Sequence, residues 1–259
     1  MLKRSLIFIY GIASYAVFLA TFLYALGFVG NFVVPRTIDG TPRVDLTTAL
    51  LTDLGLLLLF ALQHSLMARP VFKRWLTRFV PEPAERSTYV LASSLALIVL
   101  FALWQPLGGV VWSVDGPWRV ALYVAFGFGW GLVLVSTFLI NHFDLFGLRQ
   151  IWLQLRGRPY THLAFGTPGP YQLIRHPLYL GWLFAFWATP AMTVTHLLFA
   201  LATTGYILIA IQLEEHDLVA ALGDDYRRYR ERVPMIIPFL KIGRGTPEGR
   251  ENRSSGASL

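Results

Sequence analysis

Five stretches of this 259-residue chain run past twenty residues with almost no charge. Ser5 to Pro35 is 31 residues without one, and Ser87 to Val114 is 28. Val120 to Phe143 adds 24 residues free of Asp, Glu, Lys and Arg. Pro177 to Leu213 is 37, with His196 its only ionisable group apart from tyrosines, and Leu46 to Ala68 is 23, with Asp53 its only acid. About 20 apolar residues make a helix that crosses the hydrocarbon core. Inside that core every backbone polar group must be satisfied within the protein, which favours helices. The expected fold is therefore all-α, a polytopic transmembrane helical bundle. Charged residues are only 14% of the chain, against about a quarter in soluble domains. Lys3 and Arg4 precede the first run, but that run is far longer than the roughly 7–15 residues of a signal-peptide core. The chain has no cysteine, which excludes disulfides, thiolate metal sites and cysteine nucleophiles.

The runs predict helices near residues 5–34, 46–68, 88–107 and 119–146. Thr189-Pro190 breaks the last region, because proline removes a helical hydrogen bond and disfavours helix in the residue before it. Two arms near 176–188 and 194–221 then form a hairpin. The first arm, about 13 residues or roughly 20 Å long, spans only with difficulty. Basic residues cluster before the first helix (Lys3, Arg4), after the second (Arg69, Lys73, Arg74, Arg78, Arg86), after the fourth (Arg149, Arg156, Arg158, Arg175) and after the hairpin (Arg227, Arg228, Arg230, Arg232, Lys241). The other two loops carry Arg36 and Arg43, and Arg119. The positive-inside rule then gives four spanning helices plus a C-terminal hairpin, with both termini cytoplasmic. The net charge of +7 belongs to those loops and implies a lipid bilayer, not nucleic acid, as the partner. No internal repeat is visible.

Ionisable groups inside spans are costly and usually face a cavity or a partner. Asp53 and His64 stand three helical turns apart, roughly 16 Å along one face of helix 2, and could line one groove. The fourth helix ends Asn141-His142-Phe143-Asp144. For each of these the plainer reading is an interfacial position or a structural hydrogen bond. Gly127 and Gly131 form a GxxxG that permits close helix packing. The densest pattern is C-terminal: Gly169-Pro170-Tyr171, then Arg175-His176-Pro177-Leu178-Tyr179-Leu180-Gly181, and past the hairpin Glu214-Glu215, Leu218, Gly223, Tyr226, Tyr229 and Arg232-Val233-Pro234. Alone, Arg-His would be a headgroup anchor and Glu-Glu a solvated helix end. A hairpin brings the start of its first arm beside the end of its second. Arg175, His176, Glu214 and Glu215 then converge beside aromatics, in a mixed-charge pocket suited to a small zwitterionic ligand. His142 with Asp144, and Glu215 with His216, lack any ligand spacing such as HExxH, so no metal centre is expected.

At these residues the chain resembles the membrane methyltransferases typified by isoprenylcysteine carboxyl methyltransferase and phospholipid methyltransferases. The shared pattern covers about residues 167–234. Asn-His-Phe-Asp-Leu-Phe-Gly-Leu-Arg-Gln at 141–150 and the run from Arg175 to Pro238 make it more similar to the bacterial branch that holds methanethiol S-methyltransferases and NnrU-like proteins. The resemblance implies S-adenosylmethionine as methyl donor and a small thiol as acceptor, at the cytoplasmic side of a bacterial inner membrane. Arg175 would pair with the donor's carboxylate, Glu214 or Glu215 would hold its ammonium or ribose, and Tyr171, Tyr179 and the backbone at Gly169 would pack on its adenosine, with His176 in the same set. His142 is the first choice for base, oriented by Asp144, and His64 is the second. Residues 1–150 would form the acceptor cavity, 151–241 the cofactor-binding loop, hairpin and cap, and 242–259 a disordered tail. Three other readings stand beside this one. A lipid or prenylated acceptor would use the same donor site. A membrane reductase using NADPH has a similar hairpin pattern but typically carries Asn where this chain has Leu178. A non-enzymatic component linked to nitrogen-oxide metabolism is disfavoured by the polar convergence.

Overall fold

Asp45 opens the second helix by accepting the Thr48 amide at 3.0 Å, a side-chain cap for an otherwise orphan helical donor. That helix, α2 (Leu46–Ala68), follows α1 (Leu2–Gly30) in a computed structural model that describes residues 1–161, 163 and 165–238. The expected tail at 242–259 lies outside the described residues. Pro70 starts α3 (Pro70–Leu76), and a 3₁₀ turn leads into α4 (Glu85–Leu103). Strand β1 (Val110–Ser113) precedes α5 (Pro117–Ile140), which is followed by two short helices, α6 (His142–Leu145) and α7 (Leu148–Leu155). The last region comprises α8 (Pro177–Trp187), β2 (Ala191–Thr193), α9 (Val194–Leu222) and α10 (Asp224–Arg232). Among the described residues, α1, α2, α5, α9 and the 3₁₀ turn with α4 are long and apolar enough to cross a membrane. Their outward faces carry exposed leucines such as Leu51, Leu58 and Leu62, as a lipid-facing surface requires.

The hairpin at Thr189-Pro190 is present, and its short first arm has a structural remedy. Eleven helical residues reach only about 16 Å, and the extended segment beyond them supplies the remainder. Strand β2 pairs antiparallel with β1, Val110 facing Thr193 and Trp112 facing Met192. The hairpin tip thus lies at the same end of the bundle as the α4–α5 connection. This two-stranded ribbon, which the apolar pattern does not foretell, satisfies backbone groups where α8 has ended. His196 secures the tip by hydrogen-bonding the Phe186 carbonyl at 2.9 Å, and Thr193 donates to Asp39. Phe28, Ile38, Leu100, Trp104 and Phe199 form the apolar core near that end.

Three helix ends fall short of expectation. Helix α4 stops at Leu103, not 107, because Trp104 turns extended with ψ 135°. Helix α1 stops at Gly30 because Asn31 turns left-handed with φ 59°, before Pro35 is reached. Helix α5 stops at Ile140, not 146, because Asn141 takes φ 141° and ψ 91°. Such backbone is sparsely populated for a non-glycine residue, and a site of this kind is held by its surroundings. Here the Asn141 side chain caps α6 by accepting the Asp144 amide at 3.0 Å.

The glycines that permit close packing are also not the expected pair. A Cβ on Gly127 or Gly131 would meet nothing within 4 Å. A Cβ on Gly129 would stand 2.6 Å from the Ala185 amide nitrogen and 2.7 Å from the Gly181 carbonyl. One on Gly181 would stand 2.8 Å from the Gly129 carbonyl. The α5–α8 contact is therefore backbone against backbone, and neither side can yield by rotating a side chain. Gly129→Ala is expected to lower stability by about 1–3 kcal/mol as an overpacking change, whereas Gly131→Ala stays near wild type. Thermal melts of the two variants in detergent test this.

Candidate active site

The residues at the hairpin mouth meet. His176 ends the approach to α8, and Glu214 and Glu215 lie in the last three turns of α9. His176 Nε2 is 3.0 Å from Glu215 Oε1, and Nδ1 is 4.0 Å from Glu214 Oε2. Arg175 Nε donates to Glu215 Oε1 at 2.6 Å. Its Nη1 donates to the carbonyls of Arg230 and Val233 at 2.9 and 2.6 Å. The backbone amides of Arg175 and His176 donate to the Pro234 and Met235 carbonyls. Arg175 therefore ties α9 and the chain after α10 to the start of α8. The expectation that it pairs with a ligand carboxylate does not account for these bonds, because most of its donors are already committed within the protein.

The two glutamates differ. Glu215 is buried beneath Arg175 and His176, with its side chain 8% exposed, while that of Glu214 is 46% exposed. Tyr179 lies against the Glu214 carboxylate. Tyr171 sits in the 3₁₀ turn Gly169–Gln172, near Ser136 of α5 and within reach of Glu214. Gly169 takes φ 53° there, and a Cβ on it would touch Leu139 at 3.4 Å. Burial, and then the Glu214 carboxylate, push the Tyr171 phenol well above the ordinary tyrosine range, so it remains a donor. Tyr229 is pushed up to about 12, by burial against the opposing charge of Arg175. It donates to the Tyr171 carbonyl at 2.6 Å.

His142 stands one turn beyond Ser136 and Thr137, in the break that Asn141 makes. It is 5% exposed, with Phe138 stacked at 4.3 Å and Phe146 at 4.7 Å. Nδ1 is 2.9 Å from Thr137 Oγ1, and Nε2 is 2.8 Å from the Tyr15 phenol. Burial pushes the imidazole below the usual histidine value, so it is neutral at pH 7. Asp144 does not orient it. That carboxylate pairs with Arg149 at 3.1 Å and accepts from Tyr160 at 3.2 Å. The cause is the turn at Asn141, which sends residues 142 and 144 to opposite sides of α6.

His64 faces α4. Its ring lies 2.9 Å from the Tyr89 phenol and 3.1 Å from Ser93 Oγ, with Phe60 stacked at 5.2 Å. Asp53 faces α4 too, accepting the Gln105 amide at 2.9 Å. The shared face is real, but helix packing fills it. A cavity of about 780 Å³ opens elsewhere, between the start of α4 and the 141–163 segment, with Glu85, Arg86, Asp144, Gln150 and Tyr160 among its lining residues. The sequence carried no signal for Tyr15, Tyr89 or Thr137. Each is an ordinary polar residue in an uncharged run, and only packing brings it to a histidine.

No family model and no solved structure matches the chain. Named relatives do match. A methanethiol S-methyltransferase of Crocosphaera subtropica is 55% identical over 240 residues, 92% of this chain and 94% of that protein. One of Mycobacterium tuberculosis is 56% identical over 239 residues, 92% and 98% of the two chains. Nurim of Bos taurus is 34% identical over 179 residues, 65% of this chain and 68% of that protein. With identity above half along nearly the whole length of both partners, the chain belongs to the methanethiol S-methyltransferase family and is a membrane methyltransferase.

Proposed function

We propose that this protein transfers the methyl group of S-adenosylmethionine to methanethiol, giving dimethyl sulfide, at the cytoplasmic face of a bacterial inner membrane. The names of its relatives support the acceptor. The observation that carries the donor is the hairpin mouth. An exposed carboxylate, Glu214, stands beside Tyr179 and the buried His176. The predominance of Arg and Lys at that end of the bundle supports the cytoplasmic orientation.

The residues there fit the donor. Glu214 presents a half-exposed carboxylate, flanked by Tyr179, to hold an ammonium or ribose hydroxyls, and Tyr171 and Tyr179 offer aromatic faces. The left-handed turn at Gly169 lets the backbone approach a ligand closely. Bound there, S-adenosylmethionine supplies an electrophilic methyl group on a sulfonium. The protein contributes placement and a proton acceptor. Orientation of two reactants is a large term in such reactions. A free thiol is mostly protonated near neutral pH, so a base matters. His142, neutral and buried, is the candidate that best fits that need. Arg175 and Glu215 hold the mouth in shape rather than touch the donor.

A second reading has one observation behind it. The cavity beside Asp144 has a volume suited to a drug-sized ligand, and Glu85 Oε1 and Gln150 Oε1 are buried in that region without hydrogen-bond partners. Calorimetry with S-adenosylhomocysteine separates the two sites. Glu214→Ala is expected to weaken binding by about tenfold or more, as for loss of a hydrogen bond to a charged group, and Glu85→Gln to leave it unchanged. The reverse pattern moves the donor to the cavity. Headspace gas chromatography of purified protein with S-adenosylmethionine and methanethiol tests the reaction. Absence of dimethyl sulfide overturns the thiol reading and leaves a lipid acceptor as the next to assay.

A further inference from the structure

The hydrogen bonds around His142 determine which of its nitrogens is free. Thr137 donates its single hydroxyl hydrogen to the Leu134 carbonyl at 2.7 Å. Toward His142 Nδ1, at 2.9 Å, the same hydroxyl can therefore only accept. In the neutral imidazole Nδ1 then carries the hydrogen, and Nε2 presents its lone pair. The atom facing that lone pair is the phenol oxygen of Tyr15, at 2.8 Å, so Tyr15 donates to it. The chain of bonds runs one way, from Tyr15 through His142 and Thr137 to the backbone of α5.

This order has a consequence for chemistry. Phe138 and Phe146 cover the ring, and both ring nitrogens are engaged. A proton that reaches His142 from a bound acceptor must come by way of Tyr15. The Tyr15 oxygen retains lone pairs for a further donor. The ring is half-buried on α1, with Phe18 and Phe146 at 5.9 and 6.2 Å. Phe18 leads on to Phe22, which meets Trp130 of α5 and Trp182 of α8. These aromatic contacts make apolar surroundings of the kind a one-carbon thiol requires, and the Tyr15 hydroxyl lies among them.

We propose that Tyr15 is the residue that receives the acceptor's proton, its oxygen taking the thiol hydrogen while its own hydrogen passes to Nε2 of His142. The inference rests on the thiol-transfer reading above. In the step the S–H bond breaks and its electron pair stays on sulfur. That sulfur forms the new S–CH₃ bond, and the methyl–sulfonium bond breaks with its pair remaining on the departing thioether. Tyr15 ends as it began, and the proton rests on His142 until solvent takes it.

The experiment compares wild type with Tyr15→Phe on two acceptors of one shape, methanethiol and methaneselenol. A selenol is already ionised at neutral pH and needs no proton acceptor. Tyr15→Phe is expected to lower kcat with methanethiol by about 10²-fold, the scale of a lost acid–base group. KM and the affinity for S-adenosylhomocysteine should change little, and kcat with methaneselenol should stay near wild type. Equal losses on both acceptors would show Tyr15 to be a packing residue and overturn the proposal, as would no loss on either. Wild-type protein that methylates neither acceptor would instead overturn the thiol-transfer reading itself, and the role of Tyr15 with it.

Discussion

Replacing His142 with alanine is expected to lower turnover of methanethiol by about 10²–10⁴-fold, the usual range for a general base, while S-adenosylhomocysteine still binds. The two effects separate because His142 belongs to the Tyr15–Thr137 chain of hydrogen bonds, whereas Glu214 and Tyr179 stand at the hairpin mouth. The change also removes a ring packed between Phe138 and Phe146, so His142→Gln, which keeps a polar partner for Tyr15, is the companion variant. It should retain the fold and still lose turnover. Wild-type turnover in either variant removes His142 from the chemistry and brings His64 forward. The pH profile of the native enzyme carries the same information. Protonated imidazole has no lone pair for the Tyr15 hydrogen, so activity must fall as pH drops through the His142 pKa. Burial puts that pKa below the ordinary histidine value of about 6.5. The acid limb should therefore lie below 6.5 and vanish in His142→Gln. Tyr15 is the titratable group bonded to the ring, and the Asp144 charge is spent on Arg149.

Glu215→Ala is expected to be the most damaging change to stability, by about 3–5 kcal/mol, because it strands a buried charge. The Arg175 and Glu215 side chains are only 11% and 8% exposed, so water cannot take over the pairing. His176 Nε2 loses its partner in the same stroke. Loss of folded protein in detergent, read by melting temperature and size-exclusion profile, checks this. Glu214→Ala should melt near wild type, since that carboxylate is largely solvated. Arg175→Met combined with Glu215→Leu should recover only part of the loss. An apolar pair can replace a buried ion pair, but Arg175 also holds the carbonyls of Arg230 and Val233. If Glu215→Ala melts as wild type does, the pair contributes little and Arg175 returns as a candidate for the ligand.

Sequence alone was enough for the all-α class and for the long apolar helices, although α9, counted there as a hairpin arm, is itself long enough to cross and makes a fifth. Uncharged runs longer than twenty residues have no other stable use, because lipid leaves helix as the economical way to satisfy the backbone. It also located the hairpin, since a proline cannot donate within α8–α9, and it brought Arg175, His176, Glu214 and Glu215 to one place through that hairpin alone. Tertiary structure decided how those groups are arranged there. Arg175 and Glu215 turned inward as a clamp and Glu214 outward, a difference of about 100° on one helix that composition does not reveal. The close α5–α8 contact fell to Gly129 and Gly181 rather than to the GxxxG pair, because only the facing helix determines which small residue is needed. Asn141 ended α5 early through a backbone conformation with no sequence signature. That one turn gave His142 to Tyr15 and Thr137 and took Asp144 away from it. Periodicity governs which face of a helix is buried. Which polar side chain finds which partner depends on distances of a few ångströms between helices far apart in the chain.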